Sequence, residues 1–215
     1  KGDIKMKIYD ISMGVHYQMP VYKGKESKRP LLRVESDFSS GDVYETRLDM
    51  NMHTGTHLDM PLHMLEKGKT IETLDLEKVV TMCKVLDLTG VEGKISREDL
   101  QKKSIERGDF ILLKTKNSYL DILEKDFIYL DGTGAEYLKD KGIKGVGIDS
   151  LGIERAQPEH ETHKTLLGEG IVILEGLRLK DIEEREYLLV AAPIKVIGAE
   201  AAPVRAVLID NSQIK

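Results

Sequence analysis

Short apolar runs rich in Val, Ile and Leu recur along this chain, and segments with helical periodicity separate them. Several of these runs do not alternate with polar residues, which predicts strands buried on both faces. Alternation of strands and helices is typical of an α/β fold in which helices pack outside a mixed sheet. The predicted strands cover residues 7–11, 43–50, 84–88, 110–115, 146–149, 171–175 and 187–192.

Local signals place the helices between these strands. Ser96 is followed three residues later by Asp99, which resembles a capping box and predicts that a helix starts there. Gly142 predicts the end of a helix over residues 135–141, because glycine readily adopts the left-handed conformation that closes a helix. A third helix is expected over about residues 160–167.

Residues 17–33 interrupt the alternation. They contain few apolar side chains and many Lys, Arg, Gly and Pro, which predicts a long loop. Long loops in compact domains often serve as lids or interface arms. No other stretch has the composition of an interdomain linker and no repeat of fixed period occurs, so we expect one compact domain over residues 1–215.

A single cysteine, Cys83, narrows the choice of metal ligands. It cannot form an intramolecular disulfide or a Cys-based zinc site, so any metal must be bound by histidines and carboxylates. Cys83 precedes a predicted strand, and we expect it to be a small core residue. The chain has six histidines and no Trp among its 215 residues.

The remaining composition excludes several classes of protein. A formal net charge of −5 argues against a protein that binds duplex nucleic acid, because such proteins present a basic face. No apolar run approaches the ~20 residues that span a bilayer, and the charged residues 1–5 precede no apolar signal segment. We therefore expect a cytoplasmic protein without a nucleic-acid or membrane partner.

Three histidines and one aspartate crowd a stretch of eleven residues. Thr-Gly-Thr separates the first two histidines, which disfavours the helical His-Glu-x-x-His arrangement of metalloproteases. In an extended chain, residues at alternate positions share a face, and a turn at Gly55 would bring the first histidine to that face. Imidazoles beside a carboxylate predict a site for Zn, Mn or Fe(II), either structural or catalytic. The residues are His53, His57, Asp59 and His63, with Pro61 between the last two.

A second stretch carries further candidate ligands. His160 and His163 lie only three residues apart, and a buried strand then delivers Glu175 at its end. A carboxylate at a strand terminus is a common position for a catalytic or ligand group. The sixth histidine, His16, is expected to be an ordinary surface or hydrogen-bonded core residue without a role in the site.

These motifs resemble the cyclase-like metal-dependent hydrolases, a family that includes the bacterial kynurenine formamidases and the isatin hydrolases. The resemblance covers most of the chain, and its motifs come in the family's order. It implies a single compact α/β domain of the swivelling β/β/α type, with a barrel-like mixed sheet and outer helices. The motifs are His-Thr-Gly-Thr-His-Leu-Asp-Met-Pro-Leu-His at 53–63, Gly-Ile-Lys-Gly-Val-Gly-Ile-Asp-Ser at 142–150, His-Lys-Thr-Leu-Leu at 163–167, Ile-Val-Ile-Leu-Glu-Gly-Leu at 171–177, and the Ala-Pro-rich stretch at 191–206.

The resemblance also implies a role for each candidate residue. One or two divalent metal ions are expected, zinc first, with Mn or Fe as alternatives. A first metal would be bound by His53, His57 and Asp59, with Asp59 bridging to a second metal. His163 and Glu175 match the remaining ligands. His160 has no counterpart, so its role stays open.

The implied reaction is hydrolysis of a small linear or cyclic amide. Metal-bound hydroxide would attack the carbonyl, and His63 matches the residue that protonates the departing amine. The kynurenine formamidases that this chain resembles place a Trp against their aromatic substrate. The resemblance implies that Tyr22 takes this position here. Tyrosine can also stack on an aromatic ring. N-formylkynurenine is therefore one candidate substrate beside cyclic amides and other small acyl compounds.

Two further expectations complete the interpretation. The resemblance implies a homodimer or homotetramer, with the N-terminal loop region extending towards a neighbouring subunit's site. The alternative function, from a different class, is a metal-stabilised binding or scaffold protein without turnover. His63 discriminates between the two, because an extra histidine beside a filled ligand set has little structural purpose.

Overall fold

The computed structural model describes residues 6–120 and 126–210 of the chain. Thirteen strands and three α-helices account for most of its regular structure. The helices are α1 (Arg97–Leu100), α2 (Gly132–Lys141) and α3 (Glu161–Gly168). The strands are β1 (Lys7–Asp10), β2 (Leu31–Ser36), β3 (Glu45–Asp49), β4 (His57–Asp59), β5 (Val80–Asp87), β6 (Lys94–Ile95), β7 (Phe110–Lys114), β8 (Tyr129–Leu130), β9 (Gly145–Ile148), β10 (Val172–Glu175), β11 (Glu186–Val190), β12 (Ala201–Pro203) and β13 (Val207–Asp210).

Short 3-10 helices connect many of these elements. They cover Tyr22–Gly24, Glu26–Lys28, Pro61–His63, Ile71–Thr73, Leu76–Lys78, Lys116–Tyr119 and Pro158–His160. Within the described ranges, no helix has the length and apolarity that crossing a bilayer would require.

Nine strands form the main sheet, in the order β1-β13-β11-β5-β7-β9-β10-β4-β12. The four strands from β5 to β10 in this order are parallel, whereas both flanks pair antiparallel. The sheet curls into a half-barrel with few helices. The α/β class and the mixed sheet are therefore confirmed, and the three predicted helices are present in the described residues. The swivelling β/β/α type and the single-domain assignment stay predictions.

The central strand β7 separates two apolar cores. All five of its residues are buried, as expected for a parallel strand covered on both sides. Phe110 and Leu112 point into one core, together with residues of the antiparallel flank. Ile111 and Leu113 point into the other, which the buried faces of α2 and α3 complete. Because α2 and α3 pack on this second face of the sheet, the loop before α3 lies on the same side.

The predicted strands are all present, with shifted ends. The largest shift is at β5, which begins at Val80 because that part of the strand pairs with β11. The capping box of Ser96 and Asp99 is confirmed at the start of α1. Gly142 ends α2 in the left-handed conformation, with φ 68°.

The prediction of a long loop over residues 17–33 is wrong in part. Two 3-10 helices lie within this range, and its last residues belong to β2, which starts at Leu31. β2 pairs with β3 in a hairpin separate from the main sheet. Nearly every residue of the two strands is exposed. β2 therefore lacks the buried apolar run from which a strand is predicted.

Candidate metal centre

Strand pairing brings the candidate ligands together at one edge of the sheet. β4 lies between β10 and β12 and is bonded to both. The antiparallel register sets His57 directly opposite Glu175. Asp59 lies two residues along the same strand, so its side chain projects to the same face as that of His57. Both β4 side chains are buried, with 1% of each residue exposed.

The side chains of five predicted ligands converge on this face. Nε2 of His57 lies 3.3 Å from Oε2 of Glu175, and Nε2 of His163 lies 3.3 Å from Oε1 of the same carboxylate. The second carboxylate, that of Asp59, lies 2.9 Å from Nδ1 of His53 and 3.6 Å from Nε2 of His163. Two carboxylates thus stand among three imidazoles contributed by separate parts of the chain.

Two glycines allow this close approach of loops. Gly55 has φ 72°, and its carbonyl oxygen accepts a hydrogen bond from Nδ1 of His57 at 2.9 Å. A carbonyl can only accept, so the neutral His57 ring carries its proton on Nδ1 and presents the lone pair of Nε2 to the centre. Gly176 follows Glu175, and a Cβ there would lie only 2.4 Å from the Gly55 oxygen. A side chain at position 176 would therefore displace the loop that carries His53.

Unpartnered polar atoms at the centre fit a bound cation. Nε2 of His57 and both carboxylate oxygens of Asp59 are buried and have no hydrogen-bond partner. Leaving such atoms unsatisfied is costly, whereas a divalent ion would satisfy all three. Ligand atoms of His53, His57 and Asp59 lie within 4.8 Å of one another, and so do those of Asp59, His63 and His163. Asp59 belongs to both sets, which suits a carboxylate shared by two ions.

The electrostatics of the centre favour ionised carboxylates. Burial opposes ionisation of Asp59, but the neighbouring imidazoles of His163, His53 and His57 outweigh it and hold the pKa of that carboxyl well below its usual range. Burial and repulsion from Asp59 also oppose ionisation of Glu175, yet the nearby imidazoles of His163 and His57 lower its pKa to about 2. The same carboxylates raise the pKa of His163 well above its usual value, against the effect of burial. A divalent ion would replace the protons that these imidazoles otherwise hold.

His63 lies beside these ligands, although its local structure differs from the prediction. An extended chain through Pro61 and His63 was expected, but these residues form a 3-10 helix that starts at the proline. The His63 ring nevertheless lies 4.1 Å from that of His53 and 5.4 Å from that of His163, centroid to centroid. Burial lowers the pKa of His63 to about 4, so its imidazole is neutral at pH 7.

Two further carboxylates contact the histidines. Neither of them was identified from the sequence. Glu154 is 3% exposed, and its oxygens lie 2.5 Å from Nδ1 of His160 and 3.3 Å from Nδ1 of His163. It also accepts the backbone N–H of His163 at 3.2 Å, so it holds that ring with Nε2 towards the centre. Glu200 lies 3.2 Å from Nε2 of His53. An acidic residue ending the apolar stretch at 151–154 was the available signal for the first of them.

A cavity of about 320 Å³ opens beside the centre. Tyr22 lies in its wall, with its ring 6.3 Å from that of Phe127. His16 is exposed and lies outside the cavity, as expected. Cys83 is a buried core residue, as predicted, and burial raises the pKa of its thiol to about 12. The cavity is lined by Tyr22, Lys23, Lys25, Lys28, His53, His63, Met64, Leu151, Gly152, Glu154, His160, His163 and Glu175.

Comparisons with known proteins agree on one family. Residues 9–155 match the family described as "Putative cyclase". The chain is 31% identical over 204 residues to the kynurenine formamidase of Erythrobacter litoralis, covering 94% of this chain and 93% of that protein. It is 32% identical over 175 residues to the kynurenine formamidase of Bacillus cereus, covering 79% and 81% respectively.

Solved structures extend this similarity. A protein described as a predicted metal-dependent hydrolase from Bacillus stearothermophilus superimposes with a TM-score of 0.88 at 50% identity, covering 96% of this chain and 99% of that one. Isatin hydrolase A from Labrenzia aggregata superimposes with a TM-score of 0.83, covering 95% and 93%, but at 20% identity it supports the fold alone. From the match over residues 9–155 and these relatives, we conclude that the chain belongs to the cyclase family of metal-dependent hydrolases.

Proposed function

We propose that this protein is a metal-dependent hydrolase of a small linear or cyclic amide. The observation that carries the proposal is the Asp59 carboxylate, which is buried without a hydrogen-bond partner among imidazoles and next to a cavity. The named relatives are amidohydrolases that act on C–N bonds other than peptide bonds, and this chain belongs with them. Its own substrate is a linear amide such as N-formylkynurenine or a cyclic amide of the isatin type.

In this proposal, one ion is held by His53, His57 and Asp59, and a second by Asp59, His163 and Glu175. Zinc suits this set of nitrogen and oxygen donors, as do Mn and Fe(II). A bound divalent ion would polarise the amide carbonyl and lower the pKa of a water molecule. The two carboxylates offset part of the positive charge of the ions, and the Gly55 carbonyl keeps the His57 ring oriented.

His63 moves the proton in the proposed reaction. It lines the cavity and is neutral at pH 7, so it can accept a proton from the attacking water. As the bond from water oxygen to carbonyl carbon forms and the C–N bond breaks, His63 returns that proton to the departing nitrogen. A formamide yields an amine and formate, whereas a cyclic amide yields a ring-opened amino acid. The Tyr22 ring forms the wall against which an aromatic substrate stacks.

The first test combines metal analysis with one substitution. Protein purified without chelator is analysed for metal and assayed on N-formylkynurenine, isatin and simple formamides. We expect His63→Ala to retain the metal and to lose roughly 10²–10⁴-fold in kcat. His16→Ala, which alters an exposed histidine outside the cavity, is the matched control and should keep full activity.

Two outcomes would count against the proposal. Unchanged turnover in His63→Ala would remove the assigned proton-transfer role. Metal-loaded protein without turnover on any amide would favour the alternative, a metal-stabilised binding or scaffold protein, whereas turnover that disappears with a chelator would exclude that alternative.

We also propose that the protein assembles as a homodimer or homotetramer through its hairpin. Leu32, Val34 and Leu48 share one face of the β2–β3 hairpin, and each is about half exposed. An isolated two-stranded hairpin is only marginally stable in water, and contiguous exposed apolar side chains commonly mark an interface. A second copy of the chain that covers this face, called here the apolar hairpin face, would supply the missing burial.

A further inference from the structure

Three lysines line the cavity together with residues of the candidate metal centre. Lys23 belongs to the 3-10 helix that begins at Tyr22, Lys28 ends the next 3-10 helix, and Lys25 lies between the two. In the described part of the chain, no carboxylate oxygen lies within 4.0 Å of any of their ammonium groups. This wall of the cavity is therefore cationic without an acidic partner from the protein.

Lys28 is the most constrained of the three. It is partly buried, and this burial lowers the pKa of its ammonium group. Its Nζ lies 5.8 Å from the centre of the Tyr22 ring, and Nζ of Lys23 lies 5.3 Å from the same ring. A partly desolvated ammonium group without a counter-ion is costly unless a ligand supplies the charge.

The backbone at Lys28 is attached directly to the loop that carries the ligands. Thr54, which follows His53, is 2% exposed and donates a hydrogen bond from Oγ1 to the Lys28 carbonyl oxygen at 2.7 Å. Arg29 donates to the carbonyl oxygens of Tyr17 and Met19, each at 3.1 Å. The lysine segment is thus held at a fixed place relative to the metal centre, which is what recognition of two ends of one ligand requires.

The net charge of the metal centre determines which kind of ligand these lysines attract. Asp59, Glu175 and Glu200 attract Lys28 across the cavity. Divalent ions bound by Asp59 and Glu175 would neutralise that attraction, and the lysine wall would then face an anion in the cavity. A cavity of about 320 Å³ accommodates a small aromatic molecule, and Tyr22, Leu151 and Met64 supply an apolar surface for its ring.

We propose that the substrate is a small aromatic amide that also carries a carboxylate, and that Lys28 binds this carboxylate while the amide lies at the metal centre. Lys28 is therefore a specificity-determining residue, with Lys23 and Lys25 adding positive charge at the rim. The proposal rests on the proposed hydrolase function and narrows its substrate to an anionic class.

The test compares charged and neutral substrates that are otherwise matched. The metal-loaded wild type and Lys28→Met are assayed on the three formamidobenzoate isomers, which carry the carboxylate at different positions, and on uncharged formanilide. We expect Lys28→Met to lower kcat/KM roughly ten- to hundredfold on the preferred formamidobenzoate, as for loss of a charge-assisted hydrogen bond, and less than twofold on formanilide. Lys102→Met, whose side chain is 71% exposed far from the cavity, is the matched control and should change neither value.

A binding measurement separates this proposal from the proposed function. Titration calorimetry follows 2-aminobenzoate and aniline on the wild type and on Lys28→Met, with circular dichroism to verify the fold. Binding of 2-aminobenzoate that weakens at least tenfold in Lys28→Met supports carboxylate recognition even if no amide is hydrolysed, in which case the hydrolase function alone fails. Equal losses on charged and neutral substrates, or a wild type that prefers formanilide, would overturn the anionic class and leave the hydrolase function intact.

Discussion

At the scale of single residues, orientation of the imidazoles matters as much as their number. His163 is held from behind by Glu154, which contacts both its ring and its backbone N–H. His57 is held in the same way by the Gly55 carbonyl. Such outer contacts fix the ring and the position of its proton, and their loss typically weakens metal binding 10–100-fold. Glu154 is therefore expected to contribute to metal affinity without being a ligand.

A pair of substitutions tests this contribution. We expect Glu154→Ala to lower metal affinity about 10–100-fold, measured by competition with a chromogenic chelator. Glu154→Gln should lose less, because its amide oxygen can still accept one hydrogen bond. Glu159→Ala removes a nearby glutamate whose side chain is 93% exposed, and it should bind metal like the wild type. If Glu154→Ala binds metal with wild-type affinity, the His163 ring does not need the contact with Glu154.

At the scale of elements, the end of β9 is tied to the turn after β7 by one buried carboxyl. Asp149 accepts hydrogen bonds from the backbone N–H and hydroxyl of Thr115 and of Ser118, at 2.7–3.2 Å. Burial nevertheless raises the pKa of Asp149 to about 6, although these bonds lower it. The carboxyl therefore stays protonated in the folded state at a pH where the unfolded chain, with its pKa near 3.8, has already released the proton.

This difference predicts how stability depends on pH. Between about pH 4 and pH 6 the folded state binds more protons than the unfolded state, so the contribution of Asp149 to the free energy of unfolding falls as pH rises. The full change is about 3 kcal/mol. Urea unfolding in the presence of chelator measures the free energy of unfolding of wild type and of Asp149→Asn. As pH rises through this window, the wild-type value should decline relative to that of Asp149→Asn. Parallel pH profiles for the two would contradict the assignment.

At the scale of the whole molecule, the apolar hairpin face defines the expected assembly. We predict that Leu32→Glu converts the oligomer to monomers, because it places a charge within the proposed interface. Light scattering coupled to size-exclusion chromatography would report the mass. Leu31→Glu makes the same change on the opposite face of the hairpin and should preserve the oligomer. A wild-type monomer at micromolar concentration would contradict the proposal.

Spacing indicated the ligands that lie close together in the chain, and the family resemblance supplied His163 and Glu175. The supporting carboxylates that only folding brings to the centre were missed. Spacing was sufficient for His57 and Asp59, because alternate residues of a strand share a face. Glu200 lies 147 residues from its partner His53, so no local pattern could connect them. Glu154 reaches His163 across a loop with irregular backbone, for which no periodicity exists.

The hydrogen bond from Thr54 to the Lys28 carbonyl has a consequence for how this scaffold can diversify. In the proposed function, the sheet edge carries the reactive groups and the segment 22–28 carries the side chains that face the substrate, and the Thr54 hydroxyl joins the two. Exchange of these seven residues for a segment of equal length would retarget the enzyme without altering its reaction, provided that the carbonyl at position 28 still meets Thr54. Selectivity and reactivity are thus separately encoded, and variation in one can be selected while the other is kept.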